Sequence, residues 1–363
     1  MSGTSLDGVD GVLVDFSRPE ARVLAHSAQP LPAALRQDLL ALNARGHDEL
    51  HRAALAGNAL VLCYAEVVAQ LLAQTGLAAA DIRAIGAHGQ TVRHQPQAHD
   101  GVGYTLQLNQ PALLAERCAI TVVADFRTRD LAAGGQGAPL VPPFHQAFFG
   151  PRWPGAAVLN IGGISNVTLL PADAQAALIG FDCGPGNALL DSWCQQHLGQ
   201  PFDRDGAWAA SGKVRSDVLQ CFLDDPFFQQ SGPKSTGRDR FHPEWLQSRL
   251  ERCAPCVAQD VQATLAELTA LCCARAVQSR ALPVSHAIVC GGGALNHHVM
   301  LRLRALLAPC TVLSSQEAGL PPLQVEACAF AWLAKQCLDK NAASVPSVTG
   351  ARGARILGAV YAA

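Results

Sequence analysis

The sequence predicts a two-domain α/β protein whose halves repeat one plan. The chain has 363 residues, which is long for one hydrophobic core and ample for two domains. In both halves, apolar strand-like runs end in glycine turns from which helical segments depart, as in "AIGAHGQT" and "LIGFDCGPGNALLDSW". We therefore expect a duplicated α/β architecture with a cleft between the domains.

Composition narrows the class of protein. Hydrophobic residues make up 49% and charged residues 15%, which is typical of a folded chain. The net charge is −2 and no Lys/Arg cluster occurs, so nucleic acid is not an expected partner. No uninterrupted apolar run of about eighteen residues and no signal-peptide pattern is present, so we expect a cytoplasmic protein without membrane contact. The 13 cysteines lie mostly in apolar runs, which indicates buried free thiols.

Individual elements follow from local patterns. In the first half, "VLVDF", "IRAIG", "YTLQL" and "AITVVADF" predict strands, and residues 48–74 predict the second of two helices. A glycine- and proline-rich stretch, "RTRDLAAGGQGAPLVPPFHQAFF", suits a connection between domains. The second half continues with the hairpin "AAVLNIGGISNVTLL" and the strand–turn–helix "HAIVCGGGALNHHV". We place one lobe at residues 1–130 plus about 345–363, and the other at 131–344.

Five turns combine glycine with hydroxyl, amide or carboxylate groups: "SGTSLDGVD", "AHGQT", "NIGGISN", "FDCGPGN" and "CGGGALN". Glycine lets backbone N–H groups approach an anion closely, and a helix that starts there adds its positive dipole end. A single such turn is more often an ordinary tight turn. Five of them, at the ends of predicted strands where open α/β sheets bind ligands, favour a nucleotide site. It is not a P-loop, because "GAWAASGKV" has the wrong spacing and no Ser/Thr after Lys213.

Read together, the motifs resemble those of a known family. "MSGTSLDGVD", "HGQT", "DFRTRDLAAGGQGAPLVPPFH", "LNIGGISNVTLL", "GFDCGPGNALLD", "PKSTGRDRF", "DVQATLAELTA", "CGGGALN" and "VEACAFAWLA" occur in the order and spacing of the anhydro-N-acetylmuramic acid kinases. The resemblance spans nearly the whole chain. It implies a two-domain actin-like ATPase fold, ribonuclease H-like in each half, of the sugar kinase/heat-shock/actin superfamily.

The resemblance also implies a reaction. The family uses ATP and water to open 1,6-anhydro-N-acetylmuramic acid and to phosphorylate its 6-oxygen, giving N-acetylmuramic acid 6-phosphate in peptidoglycan recycling. Asp182 in "GFDCGPGN" matches the catalytic aspartate, which would act as general base toward the water. From the residues alone, a helix N-cap is an equally good interpretation of this aspartate. Mg²⁺ is expected with the nucleotide, although the sequence does not single out its ligands.

The remaining site residues follow from the same matches. We expect Asp7 and Asp10 near the metal or the sugar. The ATP-binding residues would be Gly3, Thr4, Ser5, Leu6, Asp7, Gly8, Val9, Asp10, Gly162, Gly163, Asn166, Gly291, Gly292 and Gly293. The sugar would contact His88, Gln90, Asp125, Arg127, Gln136 and Glu326.

Two of the sugar contacts have alternatives. Arg127 or Arg129 could pair with the lactyl carboxylate of the sugar, whereas a surface ion pair is the commoner use of an arginine at this spacing. Glu326 opens an apolar helix, where it would either face the cleft or interact with the helix dipole.

The chain departs from the family in two places. Family members carry a short apolar strand of the type "YIGL" ahead of "MSGTS", so we expect the native start to lie upstream of Met1. Without that strand, its neighbours would keep unpaired backbone groups and the phosphate turn would be poorly anchored. In "QLNQP", Asn109 stands where a glycine is expected; asparagine tolerates positive φ better than most residues.

Two other function classes remain open from the sequence. One is another sugar or acetate-type kinase of the superfamily, and the other is an actin- or chaperone-like ATPase. An NAD-dependent oxidoreductase built on "CGGGALN" is disfavoured, because no ribose-binding acid follows at the usual distance. The family resemblance suggests a homodimer.

Overall fold

The computed structural model describes residues 1–3, 6, 8–18, 21–173, 175–230, 240–279 and 284–363. The chain divides into two compact units. Unit 1 comprises Met1–Phe148 and Gln324–Ala363, and unit 2 comprises Phe149–Leu323. Unit 1 is therefore built from two stretches of chain.

The unit boundaries differ from the sequence-based positions at 130/131 and 344/345. Leu140 and the α-helical residues Phe330 and Leu333 share one buried cluster with Val123 and Phe126. Residues near 140 and 330 therefore complete the core of unit 1. Local sequence patterns do not reveal such packing, because it joins segments about two hundred residues apart.

Unit 1 contains small sheets and flanking helices. Its elements in chain order are β1 (Gly8–Asp15), β2 (Arg22–Pro30), α1 (Ala33–Ala41), α2 (Glu49–Thr75), β3 (Ile85–Gly86), β4 (Gln90–Pro96), β5 (Gly103–Leu108), α3 (Pro111–Cys118), β6 (Val122–Ala124), α4 (Thr128–Ala132), α5 (Pro142–Phe149), which reaches the unit boundary, α13 (Val325–Leu338), α14 (Pro346–Thr349) and β12 (Ala359–Tyr361). The strands form a β1–β2 ribbon, a β4–β5 hairpin and a three-stranded sheet in the order β12–β6–β3.

The longest helix of unit 1 is a core helix. α2 follows the predicted span of 48–74 within one residue and ends at Gly76, which has φ +69°. By length and composition α2 could cross a membrane, although polar residues interrupt its apolar run. The sequence-based expectation, which required an uninterrupted apolar run, therefore did not include this helix. In the structure Leu60, Val61 and Val67 are buried in the main cluster of unit 1. The apolar face of α2 therefore packs in the core of unit 1.

Unit 2 is built on one mixed sheet. Its elements in chain order are β7 (Ala157–Ile161), β8 (Ile164–Leu169), β9 (Ile179–Pro185), α6 (Asn187–Leu198), α7 (Ala207–Ser211), α8 (Ser216–Leu223), α9 (Pro226–Gln229), α10 (Pro243–Leu250), α11 (Ala258–Gln278), β10 (His286–Cys290), α12 (His297–Leu307) and β11 (Thr311–Ser314). The strand order is β11–β10–β7–β8–β9. β7, β8 and β9 are antiparallel, and β10 and β11 add in parallel. The predicted ribonuclease H-like α/β fold is confirmed.

A buried carboxylate organises the helical part of unit 2. Asp225 is only 4% exposed and accepts hydrogen bonds from the Phe227 N–H, Trp245 Nε1, Arg240 and Arg249. Burial opposes ionisation of Asp225, but these donors outweigh it and hold the pKa of its carboxyl below the ordinary value of 3.8. The side chains of Trp245 and Arg249 in α10, and that of Arg240 just before α10, are thereby bound to the start of α9.

Asp225→Asn should lower the free energy of unfolding by about 3 kcal/mol, because it leaves two partly buried guanidinium groups without their counter-ion. Since the folded-state pKa is depressed, this contribution is present above pH 3.8 and is lost as the pH falls through the folded value. Urea unfolding at pH 7 and pH 3 measures both effects. Asp217→Asn, which removes the exposed pair of Asp217 with Arg215, is the matched control and should change stability little. Equal effects of the two substitutions would contradict the prediction.

Candidate active site

A row of polar side chains crosses the sheet of unit 2. In the strand register, Asn160 of β7 lies opposite Asn166 of β8, and Asn166 lies opposite Asp182 of β9. Directly opposed residues project from the same face with Cβ atoms about 5 Å apart. Phe181 and Cys183 belong to the unit core, so Asp182 between them projects from the other face. The row thus sets the half-buried carboxylate of Asp182 beside the amide of Asn166, with the amide of Asn160 on the next strand.

Sequence reasoning found Asn166 and Asp182 but missed Asn160. The signal was available, since Asn160 interrupts the apolar run "AAVLNI" two residues before the glycine turn. A polar residue at that point of a strand with buried neighbours indicates a site, not packing.

The face of the sheet opposite Asp182 belongs to the buried core of unit 2. Burial raises the pKa of Cys183 well above its ordinary value, and the neighbouring thiol of Cys273 adds to this effect. Cys272 and Cys273 of α11 pack in the same cluster. The Cys183 thiol therefore stays protonated, and the polar chemistry of this region is confined to the face that carries Asp182.

The glycine turn after β7 holds the start of α6. The backbone N–H groups of Gly186 and Ala188 donate to Gly163 O at 3.0 and 3.1 Å, and the N–H of Asn187 donates to Gly162 O at 2.7 Å. A Cβ atom at Gly186 would lie 2.3 Å from Gly162 O, so only glycine permits this approach. The first N–H groups of α6 are thus bound to the turn, and any anion here would rely on other donors.

The turn after β10 meets the same edge of the sheet. Gly291 has φ +76°, and a Cβ atom there would lie 2.5 Å from Asn160 Oδ1. A Cβ atom at Gly293 would lie 2.3 Å from Ile161 Cγ2, and one at Gly292 would lie 3.2 Å from Asn187 Nδ2. Since β7 and β10 are parallel, their carboxyl ends open at the same edge. The structure therefore brings together Gly162, Gly163, Asn166, Asp182 and Gly291–Gly293.

In unit 1, the buried His88 and the half-buried Arg127 form a polar pair. Arg127 Nε and Nη2 donate to His88 Nε2 at 3.1 and 2.8 Å, and Arg127 Nη1 donates to Gly137 O at 2.7 Å. His88 Nδ1 lies 2.7 Å from Gly89 O, which fixes the tautomer with the proton on Nδ1. The His88 ring also packs 4.4 Å from Phe330. Three N–H groups of Arg127 are thereby committed within the unit.

Burial dominates the electrostatics of this pair. It lowers the pKa of His88 well below 6.5, and the neighbouring Arg127 acts in the same direction. Burial also lowers the pKa of Arg127 to about 10, although Glu326 and Asp130 favour its charged form. His88 is therefore a neutral acceptor, and Arg127 remains a cation at pH 7.

The other sugar-site candidates lie in different surroundings. Gln90 is 1% exposed, and its buried Oε1 has no hydrogen-bond partner among the described residues. Asp125 is exposed, has φ +54° and accepts hydrogen bonds from the N–H and hydroxyl of Thr128 at the start of α4. Gln136 and Glu326 are half-buried. Only Gln90 shows an unmet hydrogen-bonding capacity of the kind that a ligand would fill.

The loop that carries Gln136 is fixed by a carboxylate that sequence reasoning missed. Asp130 is fully buried and accepts from the Gly137 N–H and from the Thr349 hydroxyl, each at 2.8 Å. The Gln136 N–H donates to Thr349 O at 2.8 Å. Asp130 and Thr349 thus tie the C-terminal segment to the loop. The link joins residues 219 positions apart, so no local pattern could have indicated it.

Asn109 makes a structural contact in place of the expected turn. It is not among the residues with positive φ. Its Nδ2 donates to Ala87 O at 3.1 Å, and its Oδ1 accepts from the Gln110 N–H at 3.0 Å. The side chain therefore links the end of β5 to the segment after β3.

The amino-terminal segment is described in part. Thr4, Ser5 and Asp7 lie outside the described residues, as does Lys234 in "PKSTGR". Leu6 is 2% exposed with φ +55°, and its N–H donates to Gly3 O at 3.2 Å. Val9 is buried, and the half-buried Asp10 lies 3.5 Å from His26 Nε2. A buried leucine within the turn anchors it to the core of unit 1.

Comparison with known proteins gives a consistent result. The family model described as anhydro-N-acetylmuramic acid kinase matches residues 1–363. Proteins of that name from Albidiferax ferrireducens, Variovorax paradoxus and Bordetella pertussis are 60%, 59% and 55% identical, each over 100% of this chain and over 98%, 98% and 95% of their own lengths. A more distant solved structure is component A of Acidaminococcus fermentans (R)-2-hydroxyglutaryl-CoA dehydratase, at 13% identity over 89% of this chain and 96% of its own, with a TM-score of 0.45. On its sequence relatives, the chain belongs to the anhydro-N-acetylmuramic acid kinase family.

Proposed function

We propose that the protein is an ATP-dependent kinase that opens 1,6-anhydro-N-acetylmuramic acid with water and phosphorylates its 6-oxygen. Membership of the family supports the reaction class. The observation that carries the proposal is the row of Asn160, Asn166 and Asp182 beside the glycine turns of unit 2. An aspartate opposite the amide of Asn166, with Asn160 one strand further along the row, suits a general base that binds one water.

In the proposed reaction two bonds between heavy atoms form and two break. Asp182 accepts a proton from a water whose oxygen bonds to the anomeric carbon of the sugar. The bond from that carbon to the bridging 6-oxygen breaks, and the 6-oxygen bonds to the γ-phosphorus as the bond to ADP breaks. Asn160 and Asn166 would orient the water and the carboxylate through their amide groups. The product is N-acetylmuramic acid 6-phosphate.

We assign nucleotide contacts to the glycine turns. Gly162, Gly163 and Asn166 would contact phosphate groups, the turn Gly291–Gly293 would lie against adenosine, and the segment Gly3–Asp10 would supply further phosphate donors. Mg²⁺ usually binds one or two carboxylates plus substrate phosphates, and it would neutralise charge on the transferred group. Asp10 offers a hard oxygen ligand of the kind that this ion prefers. Among the described residues, no three His, Cys, Asp or Glu side chains form a ready cluster.

Residues of unit 1 would recognise the sugar. The unpaired Oε1 of Gln90 would accept a hydrogen bond from a sugar hydroxyl or from the acetamido N–H. Arg127 uses three of its five N–H groups internally, which leaves two for the lactyl carboxylate. Gln136 would contribute from the loop fixed by Asp130. Asp125 and Glu326 are further candidates for contacts with the sugar. We also propose a cytoplasmic location, a homodimeric state and a role in peptidoglycan recycling.

Substrate choice tests the proposed function directly. ADP release in a coupled assay should be rapid with 1,6-anhydro-N-acetylmuramic acid. It should be near background with N-acetylmuramic acid, glucose or acetate, because only the anhydro sugar offers the strained bridge. Mass spectrometry should show one added water and one phosphoryl group. Phosphate release without a phosphosugar would instead support an actin- or chaperone-like ATPase.

Asp182→Asn should lower kcat by roughly 10²–10⁴-fold, because the amide cannot take the proton of the attacking water. ATP binding, measured by calorimetry, should change little. Asp224→Asn, at an exposed carboxylate of the same unit, is the control and should keep normal turnover. If Asp182→Asn retained near-normal kcat, the base would have to be another residue.

Thr349→Val should raise the KM for the sugar about tenfold, the equivalent of one lost charge-assisted hydrogen bond, while the KM for ATP stays constant. The substitution removes the hydroxyl that Asp130 accepts, and the loop around Gln136 loses a support. Thr349→Ser keeps the hydroxyl and should restore the normal value. Equal kinetics for the valine and serine variants would contradict a positioning role.

A further inference from the structure

The turn after β10 is held from two sides within unit 2. On the side of β7, Gly291 and Gly293 pass so close to Asn160 and Ile161 that neither glycine could carry a Cβ atom without displacing a neighbour. On the other side lies a short segment, residues 203–206, which leads into α7. We call residues 203–206 the support loop.

The support loop contacts the start of α12 through Gly206. A Cβ atom at Gly206 would lie 2.2 Å from Asn296 Oδ1 and 2.6 Å from His298 Cβ. Asn296 is not free to swing aside, because its Oδ1 accepts the Val299 N–H at 3.1 Å and so caps α12. The Cβ atom of His298 is attached directly to the backbone of the helix. The contact therefore leaves room only for glycine at position 206.

A buried carboxylate fixes the conformation of the support loop. Asp205 and Gly206 have φ +56° and +68°, a left-handed conformation that is costly for most residues other than glycine. Asp203 is 8% exposed, and its carboxylate accepts hydrogen bonds from the N–H groups of Trp208 and Ala209, each at 2.9 Å. Asp203 thereby ties the beginning of the loop to the first turn of α7.

Helix α11 carries both partners of this contact. On the loop side, the fully buried Gln262 donates from its Nε2 to Asp203 Oδ2 at 3.4 Å. On the helix side, Glu267 accepts hydrogen bonds from Arg302 of α12 at 2.6 and 3.0 Å. One helix therefore fixes the support loop and α12 relative to each other.

Backbone hydrogen bonds connect Asn296 to the glycines of the turn. The N–H of Asn296 donates to Gly293 O at 3.1 Å, and the N–H of Ala294 donates to Gly291 O at 3.1 Å. Gly291 in turn lies against Asn160, which belongs to the polar row of the sheet. A displacement of Asn296 would therefore move the turn relative to that row.

We propose that Gly206 is a positioning residue for the nucleotide and acts through Asn296 and the turn Gly291–Gly293. This role rests on the proposed function, in which the turn lies against adenosine. A side chain at position 206 would push Asn296 and the start of α12 away from the support loop, and the turn would no longer fit the nucleoside. The residues proposed for the sugar belong to unit 1, so binding of the sugar should not depend on Gly206.

Gly206→Ala and Gly199→Ala form a matched pair. Gly199 has φ +67°, and among the described residues no atom lies within 4 Å of a Cβ placed there. Both substitutions therefore carry the same backbone cost, and only Gly206→Ala adds a side chain against Asn296. We expect Gly206→Ala to raise the KM for ATP, and the Kd for ATP in calorimetry, about tenfold. Gly199→Ala should keep both values, and the KM for the sugar should stay constant in both variants.

Asp203→Asn tests the support loop without adding bulk, and it decides the matter if Gly206→Ala does not fold. An amide has one acceptor oxygen where the carboxylate has two, so the N–H of Trp208 or of Ala209 loses its acceptor. The loosened loop should raise the Kd for ATP about fivefold, the equivalent of one lost hydrogen bond. Asp224→Asn, at an exposed carboxylate of the same unit, is the control and should bind ATP normally.

The proposal is overturned if Gly206→Ala, or Asp203→Asn where the alanine variant does not fold, binds ATP as tightly as its control. It is also overturned if the KM values for ATP and for the sugar rise by the same factor, because a general loss of structure has that effect. Wild-type protein that bound no ATP would refute the proposed function and this role together. If the wild type binds ATP and converts the sugar, equal affinities of a variant and its control refute only the role of Gly206.

Discussion

The close approach of backbone to backbone at the carboxyl ends of β7, β9 and β10 is the constraint on which unit 2 depends. The carbonyls of Gly162 and Gly163 accept the first N–H groups of α6, at distances that leave no room for a side chain at Gly186. That contact fixes the end of β9 against the turn after β7. The position of Asp182 relative to Asn166 follows from it, because both residues belong to strands whose ends are held in this way.

The same constraint explains which parts of the site were visible in the sequence. Glycine turns after apolar runs are local signals, so the turns at residues 162, 186 and 291 could be predicted, as could α2 to within one residue. Asp130 and Thr349 act on each other across 219 positions of the chain, so no local pattern marks them. The unit boundaries differ from the sequence-based positions for the same reason, since Leu140 and Phe330 join the core of unit 1 only in three dimensions. The family, which rests on many motifs together, was identified correctly.

Desolvation is the main influence on the pKa values of the polar pair His88 and Arg127 in unit 1. His88 is buried and Arg127 half-buried, and the neutral imidazole accepts the hydrogen bonds that the cation donates. A buried cation without an acceptor would be costly, so the pair constrains the rotamers of both side chains. Gln90 differs, because its Oε1 is buried without a partner among the described residues. Within the described part of unit 1, a satisfied donor–acceptor pair therefore occurs together with a buried acceptor, Gln90 Oε1, that a ligand could satisfy.

The C-terminal segment completes the core of unit 1, with α13 packed on residues of β6 and with β12 as the neighbour of β6. Translation produces this segment only after the whole of unit 2. Unit 2 is one continuous stretch of chain, and all of it is synthesised before α13 emerges. Synthesis of unit 1 therefore begins first but is completed only after that of unit 2. Its incomplete apolar core stays accessible to chaperones during this interval.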